Sequence, residues 1–434
     1  MRFRLADVLA CPVDGKGPLR LFPFVTQTDP IGRKAFALPC VNFCSAANRA
    51  LNGAHPDEKT ECDPCRDREI EEGILLCGDC GRWFAILDGI PHLVRDALRL
   101  VEVEREFLRR HREHLPVGLL HSTFTQQLLN EGFSRTEYDL NLLEEGEHWG
   151  EFFEAYVSVG DETILDIRAT GKHPAFYHIG VLERDDRDLE RQYGLWPLHL
   201  GRRMFNFMEG RKGGRGFDVG CGGGQFGLEA AYRGLDMVGC DVSPRALQVA
   251  RQYARKVGLD SQYVYAEPMN PPFRAGSIDL LLSKDALHHF PSPSQALNRL
   301  SALLKPGGDI LVYEHVGRSR MTPKIKIRLV RWLTPRIPEI YEQVPIPAVL
   351  QKNSSNEDIG SAEVLRAMKS NFEIERSVGE MMLYYEMEQL FYFAFGKRRW
   401  IARLAHHFFY VLEHFLLLWD KPEFFTVYGR KARS

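Results

Sequence analysis

The 434-residue sequence lacks long apolar segments. No run of about 18 consecutive apolar residues occurs, which excludes the usual pattern of a membrane-spanning helix. The first residues, MRFRLADVLACPVDG, also lack the apolar stretch of a secretory signal peptide. We therefore expect a cytoplasmic protein, in which cysteines bind metal or stay reduced more often than they form disulfides.

A marked excess of either charge is also missing. The chain has 56 Lys and Arg residues against 58 Asp and Glu residues, which gives a net charge of -2. This balance gives no global reason to expect a nucleic-acid partner. With 44% apolar residues the composition is typical of a globular protein, and the length predicts two or three domains.

Cysteine is scarce outside the first 80 residues, which contain seven of the nine cysteines. The pairs Cys62 and Cys65, and Cys77 and Cys80, have the C-x-x-C spacing with which two thiolates reach one tetrahedral zinc. Asp14 stands where a further cysteine would complete the same spacing from Cys11. The simplest partition gives two zinc sites: Cys40, Cys44, Cys62 and Cys65 in the first, and Cys11, Asp14, Cys77 and Cys80 in the second.

Two segments of this cysteine-rich region, LADVLACPVDGKGPL and GILLCGDCGRWFAILDGIPHLV, resemble the opening and closing parts of the Trm112-like zinc-ribbon domain. The resemblance covers about residues 5–25 and 73–95. An insert at about 26–72 separates the two parts and carries the other four cysteines. The cysteine distribution predicts a metal-binding N-terminal domain over residues 1–100, and its ligand sets are those of closed, structural zinc sites. Residues 101–200 have the pattern of helices and connectors, and we expect a helical linker and cap there.

A glycine-rich segment, GFDVGCGGGQFG at 216–227, fits two different patterns. Gly222, Gly224 and Gly227 match G-x-G-x-x-G, the dinucleotide-binding loop whose helix N-terminus holds a pyrophosphate. Starting from Gly220 the same residues form D-x-G-x-G, with Asp218 two residues before the first glycine. A carboxylate at this place repels a pyrophosphate but stabilises a cationic ligand, so Asp218 favours the second interpretation.

Strands and helices alternate around this loop. The buried segments GRGFDVG, LDMVGCD, SQYVYAE, SIDLLLS and DILVYEH predict five strands, and Ser243 with Pro244 is a typical start of the helix after the second. FEIERS and PEFFTVYGRKA predict a sixth and a seventh strand. This alternation predicts an α/β fold, a Rossmann-like, doubly wound sheet whose ligand lies beyond the carboxyl ends of the strands. Its core spans 201–316, and 317–434 adds the last strands and helices.

With LKPGGDILV at 304–312 and AEPMNPPFRAGSIDLLLS at 266–283, these motifs resemble the class I S-adenosylmethionine-dependent methyltransferases that act on small molecules and lipids. The resemblance covers about residues 205–316. It implies that Asp218 braces the glycine loop, that Asp241 accepts from the ribose hydroxyls, and that Glu267 accepts from the adenine amino group. The cofactor-binding residues it implies are Asp218, Gly220, Cys221, Gly222, Gly224, Asp241, Val242, Glu267, Pro268, Met269 and Ser283.

Three side chains beyond the fourth and fifth strands are candidates for the catalytic base. His288 and His289 follow the fourth strand in SKDALHHF, and a histidine titrates near neutrality. Glu314, at the end of the fifth strand beside His315, is a further candidate. The alternative, in which these histidines only pack or bond to the backbone, stays open at this point.

The acceptor is interpreted as a small hydrophobic molecule, or one linked to a lipid or glycan, methylated on oxygen or nitrogen. The alternative is an RNA base methylated with the help of the zinc domain, which the many acidic residues of 57–72 oppose. The aromatic segments 176–196 and 391–419 are expected to close the acceptor pocket. The second also fits peripheral membrane contact, packing on the core, or a homodimer contact.

Overall fold

The structure is a computed structural model that describes residues 1–28, 40–51, 65, 68–158, 163–166, 175–178, 200–315, 325, 328–329, 332, 361–380, 387, 391, 394–395, 398–422 and 424–432. Among these residues, no helix combines the length and the apolar character that crossing a bilayer requires.

The N-terminal unit is built on a four-stranded antiparallel sheet with the order β1-β4-β5-β6. Two further antiparallel pairs, β2-β3 and β7-β8, form separate two-stranded sheets. The strands are β1 (Arg20–Thr28), β2 (Phe43–Cys44), β3 (Arg49–Ala50), β4 (Arg68–Leu76), β5 (Trp83–Leu87), β6 (Ile90–Pro91), β7 (Thr163–Asp166) and β8 (Ala175–His178).

The larger unit is built on a seven-stranded sheet. Its strands are β9 (Arg215–Val219), β10 (Asp236–Asp241), β11 (Ser261–Tyr265), β12 (Ile278–Lys284), β13 (Leu304–His315), β14 (Glu373–Glu380) and β15 (Phe424–Arg430). Their order is β11-β10-β9-β12-β13-β15-β14, in which only the two pairs that include β15 are antiparallel. The predicted seven-stranded, doubly wound α/β sheet is therefore confirmed, with β14 and β15 as the predicted sixth and seventh strands.

Nine helices are described. They are α1 (Val101–Arg110), α2 (Thr123–Asn130), α3 (Glu137–Ser158), α4 (Leu200–Glu209), α5 (Gln225–Tyr232), α6 (Pro244–Val257), α7 (Pro293–Leu303), α8 (Ser361–Asn371) and α9 (Arg399–Leu416). Short 3-10 turns lie at Phe3–Asp7, Asp96–Leu98, Arg112–His114, Leu119–His121 and Leu287–His289.

Local sequence explains where the helices of the sheet unit begin. At α6 the Ser243 hydroxyl accepts from the backbone N–H of Ala246, Pro244 occupies the first turn, and Gly258 ends the helix with a φ of 74°. Ser292 caps α7 in the same way, by accepting from the backbone N–H of Gln295. Helix α6 therefore starts directly after β10, at the strand end where the predicted ligand site lies, whereas α7 starts after the turn that follows β12.

The two units share one hydrophobic core. A backbone bridge pairs Leu9 with Phe273, and a second pairs His92 with Tyr265 at the end of β11. Phe273 in turn packs on Phe217 of the central strand β9, with ring centroids 4.5 Å apart. Arg4 adds a buried ion pair with Asp236, at 2.9 Å. The N-terminal unit is thus attached to the sheet along its β11 side, and the predicted domain boundaries remain predictions.

Candidate active site

The glycine loop lies between β9 and α5, at the carboxyl edge of the sheet. Gly220, Gly222 and Gly224 have φ values of 64°, 49° and 80°, which favour glycine. A Cβ atom on Gly222 would lie 2.3 Å from the ring of Phe153, and one on Gly223 2.8 Å from the same ring. The loop therefore needs glycine for its backbone conformation and because helix α3 approaches it so closely.

Asp218 is buried directly beneath this loop, at 2% exposure. The backbone N–H of Gly227 hydrogen-bonds its carboxylate, but no described group donates to its Oδ2 atom. Burial raises the pKa of Asp218 to about 7. A buried carboxylate oxygen without a donor fits a site that receives a positively charged group.

Asp241 ends the neighbouring strand β10. Its Oδ2 accepts from the backbone N–H of Gly222 and its Oδ1 from that of Ser243, both at 2.9 Å. Burial is the largest cause that raises the pKa of Asp241 to about 6. This carboxylate thus joins the glycine loop to the start of α6, with Val242 between the two contacts.

Glu267 follows β11, the next strand in the sheet. Its Oε2 accepts from Arg95 Nε at 2.7 Å, and its Oε1 accepts from the Tyr138 hydroxyl at 3.0 Å. Beyond it the carbonyl of Met269 accepts from Arg299 at 2.7 Å. The predicted contacts of Glu267, Pro268 and Met269 with adenine remain predictions, and the partners Arg95 and Tyr138 were not predicted from the sequence.

The remaining predicted cofactor residues lie in the same region. Cys221 and Ser283 are both buried, and burial raises the pKa of the Cys221 thiol well above its usual range. The Ser283 hydroxyl has no hydrogen-bond partner among the described residues. Cys240 is also buried, as free cysteines often are.

His288 and Glu314 form a pair at the carboxyl ends of β12 and β13. Glu314 is fully buried, and its Oε1 accepts from the backbone N–H groups of Ala286 and Leu287, at 3.1 and 2.7 Å. Its Oε2 lies 2.6 Å from His288 Nδ1. The carboxylate therefore fixes the imidazole, with Nδ1 as the donor and Nε2 as the proton-accepting atom.

His289 differs from its neighbour. The centroid of its ring lies 4.0 Å from that of His288 and 5.4 Å from that of Trp149, and the Trp149 contact is edge-on. Burial first, and then the nearby His288 and His148, lower the pKa of His289 to about 3. His289 is thus neutral near pH 7. His288, by contrast, has a carboxylate partner, Glu314, that stabilises its protonated form.

Asp285 is a residue of this edge that the sequence analysis did not single out. It has a φ of 50°, which is uncommon for a residue other than glycine, and it lies between β12 and the His288 turn. Burial raises the pKa of Asp285 to about 6, and no described donor reaches its Oδ1 atom. A residue held in this uncommon backbone region is often found at functional sites.

Helix α3 covers this edge. A Cβ atom on Gly146 would lie 2.3 Å from the Val242 carbonyl oxygen, and one on Gly150 2.8 Å from the Arg245 side chain. The two glycines are four residues apart, so they lie on one face of the helix and allow it to contact the start of α6. The same helix places Trp149 on His289. The sequence analysis did not predict this contact, although the spacing of the two glycines could have indicated a close approach of the helix.

The segments predicted to close the pocket are placed differently. Of residues 176–196, the structure describes only the backbone of 176–178, and the rest lies outside the described residues. In the other segment, α9 buries Ala405, Phe409 and Leu416 in one cluster with Leu282 and Tyr313 of the sheet. The cover that the structure describes is α3, which lies within the predicted cap of 101–200.

Four predicted metal ligands meet in the N-terminal unit. The ligand atoms of Cys11, Asp14, Cys77 and Cys80 all lie within 4.8 Å of one another. The two halves have the same backbone pattern, because Gly15 N–H donates to the Cys11 carbonyl and Gly81 N–H to that of Cys77. Asp14 thus occupies the place in the first turn that Cys80 occupies in the second. Three sulfurs and one carboxylate oxygen fit zinc.

The other predicted metal set stays a prediction. Cys44 lies in β2, and the structure also describes Cys40 and Cys65. Cys62, the fourth member, lies outside the described residues.

Comparisons with known proteins agree with this geometry. Residues 217–312 match the family model described as methyltransferase domain, and residues 2–89 match the model described as Trm112p-like protein. The chain is 30% identical over 182 residues to the ubiquinone biosynthesis O-methyltransferase of Alkalilimnicola ehrlichii, covering 40% of this chain and 69% of that protein. It is 32% identical over 123 residues to the protein of the same name from Marinobacter nauticus, covering 27% and 52%.

The chain spans about half of the length of most of the curated relatives that it matches. Among solved structures it is similar to that of the [4+2]-cyclase SpnF, with 17% identity and a TM-score of 0.39, over 67% of this chain and 96% of that one. The sequence relatives and the two matched models identify the family. The chain belongs to the class I S-adenosylmethionine-dependent methyltransferases and carries a Trm112-like domain in its N-terminal part.

Proposed function

We propose that this chain transfers a methyl group from S-adenosylmethionine to a hydroxyl oxygen of a small, hydrophobic acceptor. The observation that carries the proposal is the pair of His288 with the fully buried Glu314, 2.6 Å apart, at the edge where the glycine loop lies. A hydroxyl acceptor needs a base, and this arrangement supplies one.

The residues at the loop fit the cofactor. Asp218 offers a buried carboxylate oxygen without a donor, and Asp241 and Glu267 place further carboxylates at the ends of the next two strands. These three residues and the glycine loop would hold the amino-acid, ribose and adenine parts of the cofactor. When bound, S-adenosylmethionine supplies a methyl group on a sulfonium that is already activated for displacement.

The chain's own task is then to align the acceptor and to move one proton. His288 Nε2 takes the hydroxyl proton, because Glu314 holds the other ring nitrogen and stabilises the imidazolium that forms. Glu314 acts through His288 and is a positioning residue. His289, neutral and in contact with Trp149, lines the site beside the base.

Helix α3 excludes water from the same edge. Phe153 covers the glycine loop, and Trp149 covers His289. An apolar cover strengthens electrostatic interactions in the site and suits an acceptor with hydrophobic character. The relatives named as ubiquinone biosynthesis O-methyltransferases support an oxygen acceptor, and they give no support to the RNA alternative.

We assign zinc to the Cys11, Asp14, Cys77 and Cys80 site as a structural ion. All four positions carry protein ligands, so the site has no open position for a substrate. Cys11 and Cys77 are buried in the hydrophobic core of the N-terminal unit. The ion therefore supports the fold of that unit, which in turn supports the sheet.

Replacement of the base tests the proposal. His288→Ala should lower turnover by about a hundredfold or more, and Glu314→Gln by a smaller factor, with phenols of increasing alkyl-chain length as acceptors. Calorimetry should show nearly unchanged affinity for S-adenosylhomocysteine in His288→Ala. His121→Ala, an exposed histidine of the N-terminal part, is the control. Wild-type turnover in His288→Ala would contradict the assigned base.

A further inference from the structure

Helix α9 has an apolar face that points away from the protein. From Trp400 to Phe415 its residues recur at spacings of three and four, so they form one stripe along the helix, and Leu418 and Trp419 extend it just past the helix end at Leu416. Each is between 54% and 76% exposed. The stripe consists of Trp400, Leu404, Phe408, Val411, Phe415, Leu418 and Trp419.

The opposite face of α9 already fills the core. Ala405, Phe409 and Leu416 are buried in the cluster that includes Leu282 and Tyr313 of the sheet. The helix is therefore fixed to the sheet by one apolar face and presents a second apolar face to the solvent. A contiguous exposed apolar surface of this extent marks an interaction site.

The charges around the stripe identify the partner. The exposed Lys, Arg, Asp and Glu side chains of 398–421 for which burial is described are Arg398, Arg403 and Lys421, all basic. Glu413 is buried and Asp420 is only partly exposed. A basic border would repel the same border of a second copy, whereas it is complementary to an anionic lipid surface. Trp400 and Trp419 stand at the two ends of the stripe, and tryptophan is favoured at membrane interfaces.

The stripe also leads to the active-site edge. Trp419 lies five residues before Phe424, the first residue of β15. The Phe424 ring contacts Tyr313 and His315, at centroid distances of 5.4 and 5.0 Å, and these two residues flank Glu314. A partner surface that binds the stripe would therefore lie next to the edge of the sheet that carries the proposed base.

We propose that this stripe is a membrane-docking surface, with α9 lying flat in the interface of an anionic bilayer. Because the buried face of α9 packs on the sheet, the helix lies on the membrane surface and does not cross the bilayer. Docking would bring the carboxyl edge of the sheet close to acceptors dissolved in the bilayer. That statement about the acceptor rests on the proposed function, whereas docking itself does not.

Vesicle co-sedimentation of the full chain tests the proposal. The wild type should sediment with phosphatidylcholine vesicles that contain phosphatidylglycerol, and far less with phosphatidylcholine alone. Phe408→Ser combined with Phe415→Ser should weaken this binding by about tenfold or more, since two aromatic side chains no longer enter the interface. Arg403→Glu should reduce only the binding that depends on the anionic lipid. Val103→Ser, which changes an exposed apolar residue of α1, is the matched control.

Three results would overturn the proposal. In the first, the wild-type protein stays in the supernatant; in the second, the double variant has both the melting temperature and the vesicle binding of the wild type. In the third, the wild type is a dimer in solution and the double variant is a monomer. The last would assign the stripe to a second copy. Because vesicle binding needs neither cofactor nor acceptor, a chain that binds vesicles without turnover contradicts only the proposed function. If the chain is active but does not bind vesicles, only the proposed docking surface is contradicted.

Discussion

Arg95 Nε lies 2.7 Å from Glu267 Oε2, and this ion pair joins the end of the N-terminal unit to the end of β11. The same guanidinium reaches Asp139 of α3 at 2.5 Å, while the neighbouring Tyr138 donates to Glu267. Three parts of the chain thus meet at one carboxylate of the proposed cofactor site. The position of the N-terminal unit and that of the cover helix are coupled there.

Arg95→Ala should lower the affinity for S-adenosylhomocysteine by about tenfold. Glu267 and Asp139 are nearly buried, and removal of Arg95 leaves both carboxylates without their cation, which displaces α3. Calorimetry measures the change. Arg110→Ala, which breaks a more exposed pair with Glu72, is the control. Equal affinity in the wild type and Arg95→Ala would disprove the coupling.

Gly146→Ala should displace the cover helix. The new Cβ would lie 2.3 Å from the Val242 carbonyl oxygen, and that backbone is held by the end of β10. We expect a loss of about 1–3 kcal/mol in the stability of the covered state. Faster proteolysis within α3 and altered Trp149 fluorescence are the measurements. Glu151→Ala, at an exposed position of the same helix, should behave like the wild type.

Affinity for S-adenosylmethionine should rise with pH between about pH 6 and pH 8, by about tenfold. The raised pKa of Asp218, about 7, keeps this carboxyl protonated and neutral at the lower pH, whereas a cationic ligand favours the carboxylate. Without ligand the sign is opposite: the contribution of Asp218 to the free energy of unfolding falls as pH rises from about 4 to about 7, because the folded state holds the proton longer.

Calorimetry at several pH values checks this prediction. Asp218→Asn should bind more weakly at pH 8 and lose the pH dependence in this window, while Asp88→Asn at an exposed turn should keep it. A flat profile for the wild type would show that Asp218 does not face the cationic group.

Zinc content should depend on Asp14. Asp14→Ala removes one of four ligands, so elemental analysis after dialysis against a weak chelator should find less zinc at this site. Asp14→Cys should retain it, because a thiolate completes a four-sulfur set. Asp79→Ala lies in the same turn as Cys80 but outside the ligand group and is the control. Unchanged zinc in Asp14→Ala would exclude Asp14 as a ligand.

Short-range patterns explain why the sheet, the glycine loop and one metal set could be predicted. The Asp218 motif, the Ser243 cap and the repeated turns at Cys11 and Cys77 each lie within a few residues of sequence. Glu314 and His288 could be proposed because one lies at the end of a predicted strand and the other just beyond the neighbouring one, and the ends of parallel strands share one edge. Their direct contact could not be predicted, since it depends on the turn between Ala286 and His289.

The contacts that the sequence did not indicate are long-range. Arg95 and Glu267 are 172 residues apart, and no local period relates them. The cover helix has a detectable glycine pair, Gly146 and Gly150, but the pair alone does not say which surface it contacts. For α9 the sequence leaves a pocket lid, core packing, a dimer contact and membrane contact open, because a helix with two apolar faces does not show from its sequence which one is buried.

The bridges of Leu9 with Phe273 and of His92 with Tyr265 have a consequence for chelators. Because the two units share one core, loss of the proposed structural zinc would loosen packing that reaches Phe217, in the strand that leads into the glycine loop. A chelator would therefore inactivate this protein slowly, at the rate at which the N-terminal unit opens. Such inhibition would resemble that of a metalloenzyme even though the ion takes no part in the chemistry.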